Sequence, residues 1–228
     1  KVEIDANLTK QDKAFLKAGT EGMEVIYGKG ITSIGNLFAG STVTSVTIPE
    51  GVKEIKGLAF YQCTNLKEII LPESIEKVED SAFRGCSEVK RIRIESPKCE
   101  YDYFNPFESV GEKGVDVEFG KKVVEIPNLR LRGAVRHVTF EGEVEKIGDY
   151  AFGGCSNLEE IDLPDSVKEI GYNAFGGCEK LKSIVLGTKI TKIGMRAFEG
   201  VKGITQLTIP EQVEEIGVSA FEGCSGLK

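Results

Sequence analysis

Apolar positions recur along most of this chain with a period of 23 residues. The clearest markers are phenylalanines that stand one period apart, namely Phe60 and Phe83, then Phe152, Phe175, Phe198 and Phe221. The best-preserved units, residues 151–173, 174–196 and 197–219, follow the pattern A-F-x-G-C-x-x-L-x-x-I-x-L-P-x-x-V-x-x-I-G-x-x, with a few replacements such as Gly187 for the proline and Val201 for the cysteine. A fixed period of this length predicts a solenoid in which each unit buries its apolar side against its neighbours.

Within each unit, apolar and polar residues alternate in a way that predicts strands. In the Leu-x-x-Ile-x-Leu segment the apolar residues point inward and the intervening residues point outward. Prolines such as Pro164 follow this segment, and a residue without an N–H ends a strand. Val-x-x-Ile supplies a second inward pair, and Gly171 after it is expected to adopt a backbone angle that suits only glycine. Ser81 and Asn173 stand before Ala-Phe, where we expect them to cap a short helical turn.

The phenylalanine and cysteine positions of the unit predict its core. The phenylalanines are expected to stack as a buried aromatic ladder. Five cysteines stand three residues after a repeat phenylalanine, and Val201 takes that place in one unit; they are Cys63, Cys86, Cys155, Cys178 and Cys224. A position that accepts valine is an apolar one, so we expect buried free thiols, with bridges between neighbouring units as the alternative. Cys99 lies outside the register and is either a reactive thiol or a partly buried, inert one.

These repeated residues resemble the BspA-like leucine-rich repeat of bacteria, also called the Treponema-type repeat. The similarity covers roughly residues 25–228, with a poor stretch near 95–120. The resemblance implies a right-handed, curved leucine-rich-repeat solenoid that is mostly β. Its parallel sheet would lie on the concave side, with short 3-10 or helical turns or short strands on the convex side. It also implies a secreted or cell-surface bacterial protein involved in adhesion.

The chain divides into two regions by its pattern. Residues 1–24 lie outside the repeat and are predicted to form a partly helical N-terminal cap, with a helix that starts near Thr9 and ends near Gly19. Residues 25–228 are predicted to form an array of about nine 23-residue units, with an irregular unit near 95–120. The array stops partway through a unit at Lys228, which indicates that the native chain continues or was cut there.

Composition and charge exclude several classes of partner. The formal net charge of −7 disfavours non-specific binding to nucleic acid or to anionic membranes. No stretch of 18 consecutive apolar residues occurs, so the sequence predicts no membrane insertion.

The sequence offers little catalytic chemistry. His137 is the single histidine, so the usual nucleophilic triads cannot be assembled with confidence. The Cys-x-x-Cys and His-x-x-x-His spacings of zinc sites do not occur. We therefore predict a protein that is not an enzyme, with no catalytic residues, cofactor or metal.

The remaining candidate function lies on the outward-facing polar positions of the strands. They carry patches of both signs, which favours a protein partner, a host extracellular protein among the candidates. Charged positions also keep a sheet soluble, which is the competing explanation. The candidate partner-binding residues on the strands are Lys67, Lys90, Arg91, Arg93, Arg136, His137, Glu159, Glu160 and Asp162.

An aromatic stretch at residues 95–114 interrupts the repeat. Either Phe104 or Phe107 replaces the missing repeat phenylalanine, or the stretch forms a protruding loop in which Tyr101 and Tyr103 bind a ligand. The sequence thus favours an extracellular or cell-surface adhesion module that binds a protein through its concave face. The alternatives are a structural spacer that presents a downstream domain and a glycan-binding protein that uses the aromatic loop. The ligand and the oligomeric state stay open.

Overall fold

The computed structural model describes residues 2–4, 22–28, 30–36, 38–97, 99–101 and 105–228. The chain forms two compact units, residues 1–115 and 116–228. In each unit the chain winds in successive turns whose strands pair in parallel, and most turns have a long strand and a short strand that belong to different sheets. In the described residues the only helix is a 3-10 helix at Arg132–Ala134. The mostly-β, leucine-rich-repeat solenoid predicted from the sequence is therefore confirmed.

The first unit contains nine strands in its described residues. In chain order they are β1 (Val2–Ile4), β2 (Met23–Tyr27), β3 (Ser33–Ile34), β4 (Val43–Thr47), β5 (Glu54–Ile55), β6 (Glu68–Leu71), β7 (Lys77–Val78), β8 (Arg91–Ile94) and β9 (Glu100–Tyr101). Strands β1, β2 and β4 are neighbours, β6 pairs with β8, and the short strands β3, β5, β7 and β9 form a separate sheet. The helix predicted after Thr9 lies outside the described residues, whereas residues 2–4 add the parallel strand β1 to β2.

The second unit repeats this arrangement. Strand β10 (Val115–Phe119) spans the boundary and is followed by β11 (Glu125–Ile126), β12 (Val135–Phe140), β13 (Lys146–Ile147), β14 (Glu160–Asp162), β15 (Glu169–Ile170), β16 (Ser183–Val185), β17 (Lys192–Ile193) and β18 (Glu215–Ile216). Strands β10 and β12 are neighbours, and β14 pairs with β16. The short strands β11, β13, β15, β17 and β18 form one continuous sheet.

Each turn buries the core residues of the turn before it. Ile170 and Ile193 occupy the same place in successive short strands and are fully buried. Ile216 holds that place in β18 and is 51% exposed. An inward isoleucine is thus buried by the turn that stacks on it, which is the mutual dependence expected of a solenoid.

The repeat phenylalanines form a column of stacked rings in each unit. In the first unit Phe38, Phe60, Phe83 and Phe107 stack with ring centroids 5.2–5.8 Å apart. In the second unit Phe152, Phe175, Phe198 and Phe221 stack at 5.2–5.3 Å. The predicted aromatic ladder is confirmed, and Phe107 is the residue that replaces the missing repeat phenylalanine.

The first residues of the short strands in the second unit form a column of alternating charge. Cross-strand pairing aligns Glu125, Lys146, Glu169, Lys192 and Glu215. Lys146 Nζ lies 3.2 Å from Glu125 Oε1, and Lys192 Nζ lies 3.2 Å from Glu215 Oε2. Opposite charges on directly paired strands stabilise this register, whereas like charges would oppose it.

The prediction about the glycine after Val-x-x-Ile gave the wrong cause. Gly171 and Gly194 do not have positive φ; a Cβ on Gly194 would lie 2.7 Å from the backbone carbonyl carbon of Gly171. Glycine is needed there because successive turns approach closely. The glycines that require a left-handed backbone stand in the Ala-Phe turn, where Gly177 has φ 73° and Gly200 has φ 72°.

The predicted helix caps before Ala-Phe are also wrong. Ser81 and Asn173 have φ values of 54° and 49°, and a turn rather than a helix follows each of them. The peptide groups of this corner bond to the next turn instead, as in the 2.7 Å bond that Phe60 N–H donates to the Ala82 carbonyl. Because those N–H groups already have acceptors, no helix end is left to cap.

All six cysteines are free thiols, as the register predicted for the five that stand in the repeat. The thiols of Cys63, Cys86 and Cys178 donate to the carbonyl of the repeat phenylalanine of the preceding turn, each at 3.2 Å. Burial raises the pKa of Cys99 to about 12, which favours the inert alternative for this thiol.

Candidate functional site

Most of the basic candidates of the first unit, Lys67, Lys90, Arg91 and Arg93, already form ion pairs with nearby carboxylates. Arg91 Nη1 lies 3.3 Å from Glu68 Oε2 on the paired strand, and Arg93 pairs with Glu95 on its own strand. Both Lys67 and Lys113 pair with Glu88, Lys67 at 3.6 Å. Lys90 is exposed and makes no ion pair within the described residues. The local field of this segment is therefore weaker than its sequence indicates.

Tyr101 packs inside the first unit instead of projecting from it. Its ring lies 5.8 Å from that of Phe107, at an interplanar angle of 52°. Its hydroxyl group is buried, and that burial raises its pKa. This placement does not favour Tyr101 as part of a glycan site; Tyr103 lies outside the described residues.

The other candidate residues on the strands lie together at a gap between two long strands of the second unit. They are Arg136, His137, Glu159, Glu160 and Asp162. Elsewhere in this unit neighbouring long strands pair, as β14 does with β16 through Glu160 and Ser183. Within residues 116–228, all of which are described, β12 and β14 form no ladder although they lie on successive turns. The segment that leads into β12 departs from the repeat, since Leu129 replaces the phenylalanine and a 3-10 helix at Arg132–Ala134 replaces the usual Ala-Phe turn.

Two adjoining hollows form a groove along this gap, which we call the β12–β14 groove. One hollow, of about 470 Å³, is lined by Arg136, His137, Asn157, Glu159, Glu160 and Lys180. The other, of about 540 Å³, is lined by His137, Val138, Thr139, Phe140 and residues 160–164. His137 and Glu160 line both hollows and stand at their junction.

The floor of the second hollow is apolar. Ile161 and Leu163 belong to the core and are 2% and 5% exposed. Val138 and Phe140 hold the equivalent inward places on β12 but are only half-buried. The core is thus open to solvent at this point, because β14 does not close over β12.

The charged groups of the groove are only partly compensated. His137 Nδ1 lies 2.7 Å from Asp116 Oδ1, and Lys182 donates to Glu159 at 2.9 Å. The hydrogen bond and charge of Lys182 hold the pKa of the Glu159 carboxyl below its ordinary value. Arg136 stands one period before Glu159.

Three charged side chains of the groove have no charged partner. Arg136, Glu160 and Asp162 make no ion pair among residues 105–228, all of which are described. Such groups offer their full charge to a ligand, since binding need not first break an internal pair.

The geometry of the β12–β14 groove is better suited to binding a partner than to catalysis. The His137–Asp116 pair is exposed on both sides, and no serine or cysteine stands among the residues that line the groove. The described residues contain no group of three or more histidine, cysteine, aspartate or glutamate side chains placed to hold a metal ion. Within the same residues, no helix has the length and apolar character needed to cross a membrane.

Sequence reasoning found the walls of the groove but missed other parts of it. Asp116, Asn157 and Lys180 were not predicted, although Lys180 lies one period after Asn157 and donates to its Oδ1 at 2.7 Å. No sequence signal marks the gap, since β4 and β6 of the first unit, within residues 38–97, all of which are described, also form no ladder although the turn between them keeps its Ala59-Phe60 motif.

Solved structures of two bacterial proteins share this fold. A leucine-rich repeat protein from Bacteroides ovatus ATCC 8483 is 23% identical with a TM-score of 0.62, and the match covers 95% of this chain and 65% of that one. A leucine-rich repeat protein from Eubacterium ventriosum ATCC 27560 is 21% identical with a TM-score of 0.56, with 94% and 67% covered. The chain thus spans about two thirds of each. A comparison with curated proteins gives no match.

The family model described as "BspA type Leucine rich repeat region (6 copies)" matches residues 32–129 and 130–228. These ranges contain both phenylalanine columns, together with the residues that line the β12–β14 groove and Asp116, which pairs with His137. The match extends over most of the sequence, and the chain belongs to the BspA type leucine-rich repeat family.

Proposed function

We propose that this chain binds a partner protein through the β12–β14 groove. The observation that carries the proposal is the set of charges there without an internal partner, Arg136 on one wall and Glu160 and Asp162 on the other. Leucine-rich-repeat domains in general serve as protein-interaction modules, and the family match supports that role for this chain. The basic residues of the first unit are weaker candidates, because Arg91 and Arg93 already pair with carboxylates.

We further propose an extracellular or cell-surface location and a role in adhesion. This part rests on the resemblance to BspA-like proteins and on the net charge of −7, which disfavours nucleic acid as a partner. A host extracellular protein fits these properties. No contact of the described residues favours the spacer or glycan alternative.

Surface plasmon resonance against a panel of purified extracellular-matrix proteins tests the proposal. For a protein that binds, Arg136→Glu should weaken the affinity about tenfold or more, because it places a third carboxylate opposite Glu159 and Glu160. The affinity should also fall steeply as salt rises.

The matched control is Lys202→Glu, which makes the same charge change at an exposed position outside the groove. Binding that is equally weakened by Lys202→Glu, or unaffected by Arg136→Glu, would contradict the groove as the binding surface.

A further inference from the structure

Three features of the β12–β14 groove indicate what kind of protein segment it accepts. The first is the missing ladder between β12 and β14, which leaves backbone groups of both strands without ladder partners across the gap. Neighbouring strands elsewhere in these sheets use such groups for pairing. The unpaired groups at the gap can donate hydrogen bonds to, or accept them from, the main chain of an extended peptide that lies over the gap.

The second feature is the apolar floor of the larger hollow. Val138 and Phe140 are half-buried, and Ile161 and Leu163 lie beside them. Its volume of about 540 Å³ is within the range of about 300–1,000 Å³ that is usual for ligand sites. An aliphatic side chain placed there would cover the part of the core that β14 leaves open.

The third feature is the charge at the rim of this hollow. Glu160 and Asp162 are both exposed, point to the same side of β14, and have no ion pair within residues 105–228, all of which are described. Their neighbours on the paired strand β16 are Ser183 and Val185, which provide no cation. The rim is therefore complementary to a lysine or arginine side chain.

From these features we infer that the groove binds an extended segment of a partner protein in which an aliphatic residue is flanked by basic residues. The aliphatic side chain packs on Val138 and Phe140, and the basic side chains pair with Glu160 and Asp162. Arg136 and Lys180, at the other end of the groove, select for an acidic residue or a carboxyl terminus further along the segment. This inference rests on the proposed function and specifies the partner of that site.

The probes are three capped synthetic nonapeptides, an alternating lysine–leucine sequence, an alternating lysine–serine sequence and an alternating glutamate–leucine sequence. Each is titrated into the isotopically labelled chain and followed by the amide chemical shifts in a ¹⁵N–¹H correlation spectrum. We expect the lysine–leucine peptide to shift the amides of residues 136–140 and 159–163. The other two peptides should bind at least about tenfold more weakly, because each lacks one of the two required features.

The double variant Glu160→Gln with Asp162→Asn keeps the shape of the rim and removes its charge. It should weaken binding of the lysine–leucine peptide about three- to tenfold. The matched control, Glu211→Gln with Glu214→Gln, makes the same charge change at exposed positions outside the groove and should leave the affinity unchanged. Val138→Thr tests the apolar floor, because it changes the polarity of the side chain at nearly constant volume. It should also weaken binding of the lysine–leucine peptide. If this variant does not fold, Val138→Ala takes its place.

The inference is overturned if the lysine–leucine peptide produces no shifts in the groove, or if the double variant and its control weaken binding equally. It is also overturned if the lysine–serine peptide binds as tightly as lysine–leucine, because the floor would then contribute nothing. If a matrix protein remains sensitive to Arg136→Glu while no peptide binds, the proposed function stands and this inference fails. If the peptide binds and no protein of the panel does, the inference stands without the adhesion role.

Discussion

Two kinds of glycine in the repeat serve different physical needs. Gly194 lies where successive turns approach closely, with no room for a Cβ beside the Gly171 backbone. Gly200 has φ 72°, and no atom lies within 4 Å of the place that a Cβ would occupy, so its need is purely conformational. Both glycines recur at fixed positions of the repeat. The sequence alone does not show that one is required by close packing and the other by its backbone conformation.

We therefore expect different costs for the same substitution at the two glycines. Gly194→Ala should destabilise the protein by about 1–3 kcal/mol or more, because the backbone of the neighbouring turn must move. Gly200→Ala should cost only about 1 kcal/mol, the strain of a left-handed alanine. Urea unfolding followed by circular dichroism measures both, and equal losses of stability would contradict the assignment of two causes.

At the scale of the strand, most cross-strand ion pairs can be predicted from the 23-residue period, because residues one period apart lie side by side on neighbouring strands. Arg91 follows Glu68 by 23 residues and Lys182 follows Glu159 by 23, and both pairs form. Glu159 likewise follows Arg136 by 23 residues, but no pair forms because β12 and β14 do not join. The sequence thus predicts which residues face outward and on which turn, but not that the β12–β14 junction stays open, as the β4–β6 junction also does.

The open junction could not be predicted from the apolar pattern. An apolar pattern reports which side chains are buried, and Val138 and Phe140 fit it as well as Ile161 and Leu163 do. Whether two strands pair depends on the path of the backbone, which the apolar pattern does not report, and β12 follows an irregular segment with Leu129 and the 3-10 helix at Arg132–Ala134. The fold was therefore predictable from periodicity, whereas the floor of the groove was not.

The alternating charge column makes a prediction at the same scale. Lys192→Glu would place three glutamates in a row with Glu169 and Glu215, and should cost about 0.5–1 kcal/mol at low ionic strength. Because these side chains are largely exposed, most of this loss should disappear in about 1 M salt. Thermal unfolding at both salt concentrations measures the effect.

Lys189→Glu is the control for that experiment, since it changes the net charge equally at an exposed position outside the column. If both variants lose the same stability at low salt, the effect belongs to net charge and not to the column.

At the scale of the whole molecule, buried thiols and phenols link stability to alkaline pH. Burial raises the pKa of Cys178 from its ordinary 9.0 to about 12, and it also raises the pKa of Cys155, Cys86 and Tyr27. Below about pH 8.5 the thiols are mostly protonated in both the folded and the unfolded chain, so they add little pH dependence. Above it only the unfolded chain releases their protons readily, and folding stability falls as pH rises.

We expect the urea midpoint to be nearly constant between about pH 7 and pH 8.5 and to fall progressively between about pH 9 and pH 12. Cys178→Val, which introduces the residue that Val201 supplies at the same place in the next unit, should make the decline less steep. A midpoint that does not fall above about pH 9, or a Cys178→Val variant with an unchanged slope, would show that the thiols do not carry the effect.

The alternation along the column from Glu125 to Glu215 bears on how such an array can gain or lose length. Excision of residues 174–196 would bring Glu169 beside Glu215, whereas excision of 151–196 would bring Lys146 beside Glu215. The phenylalanine column stays in register after either excision, but only the second excision places opposite charges side by side. Duplications and deletions in this half of the chain should therefore cost least stability in steps of two repeats, because such steps keep opposite charges adjacent in the column.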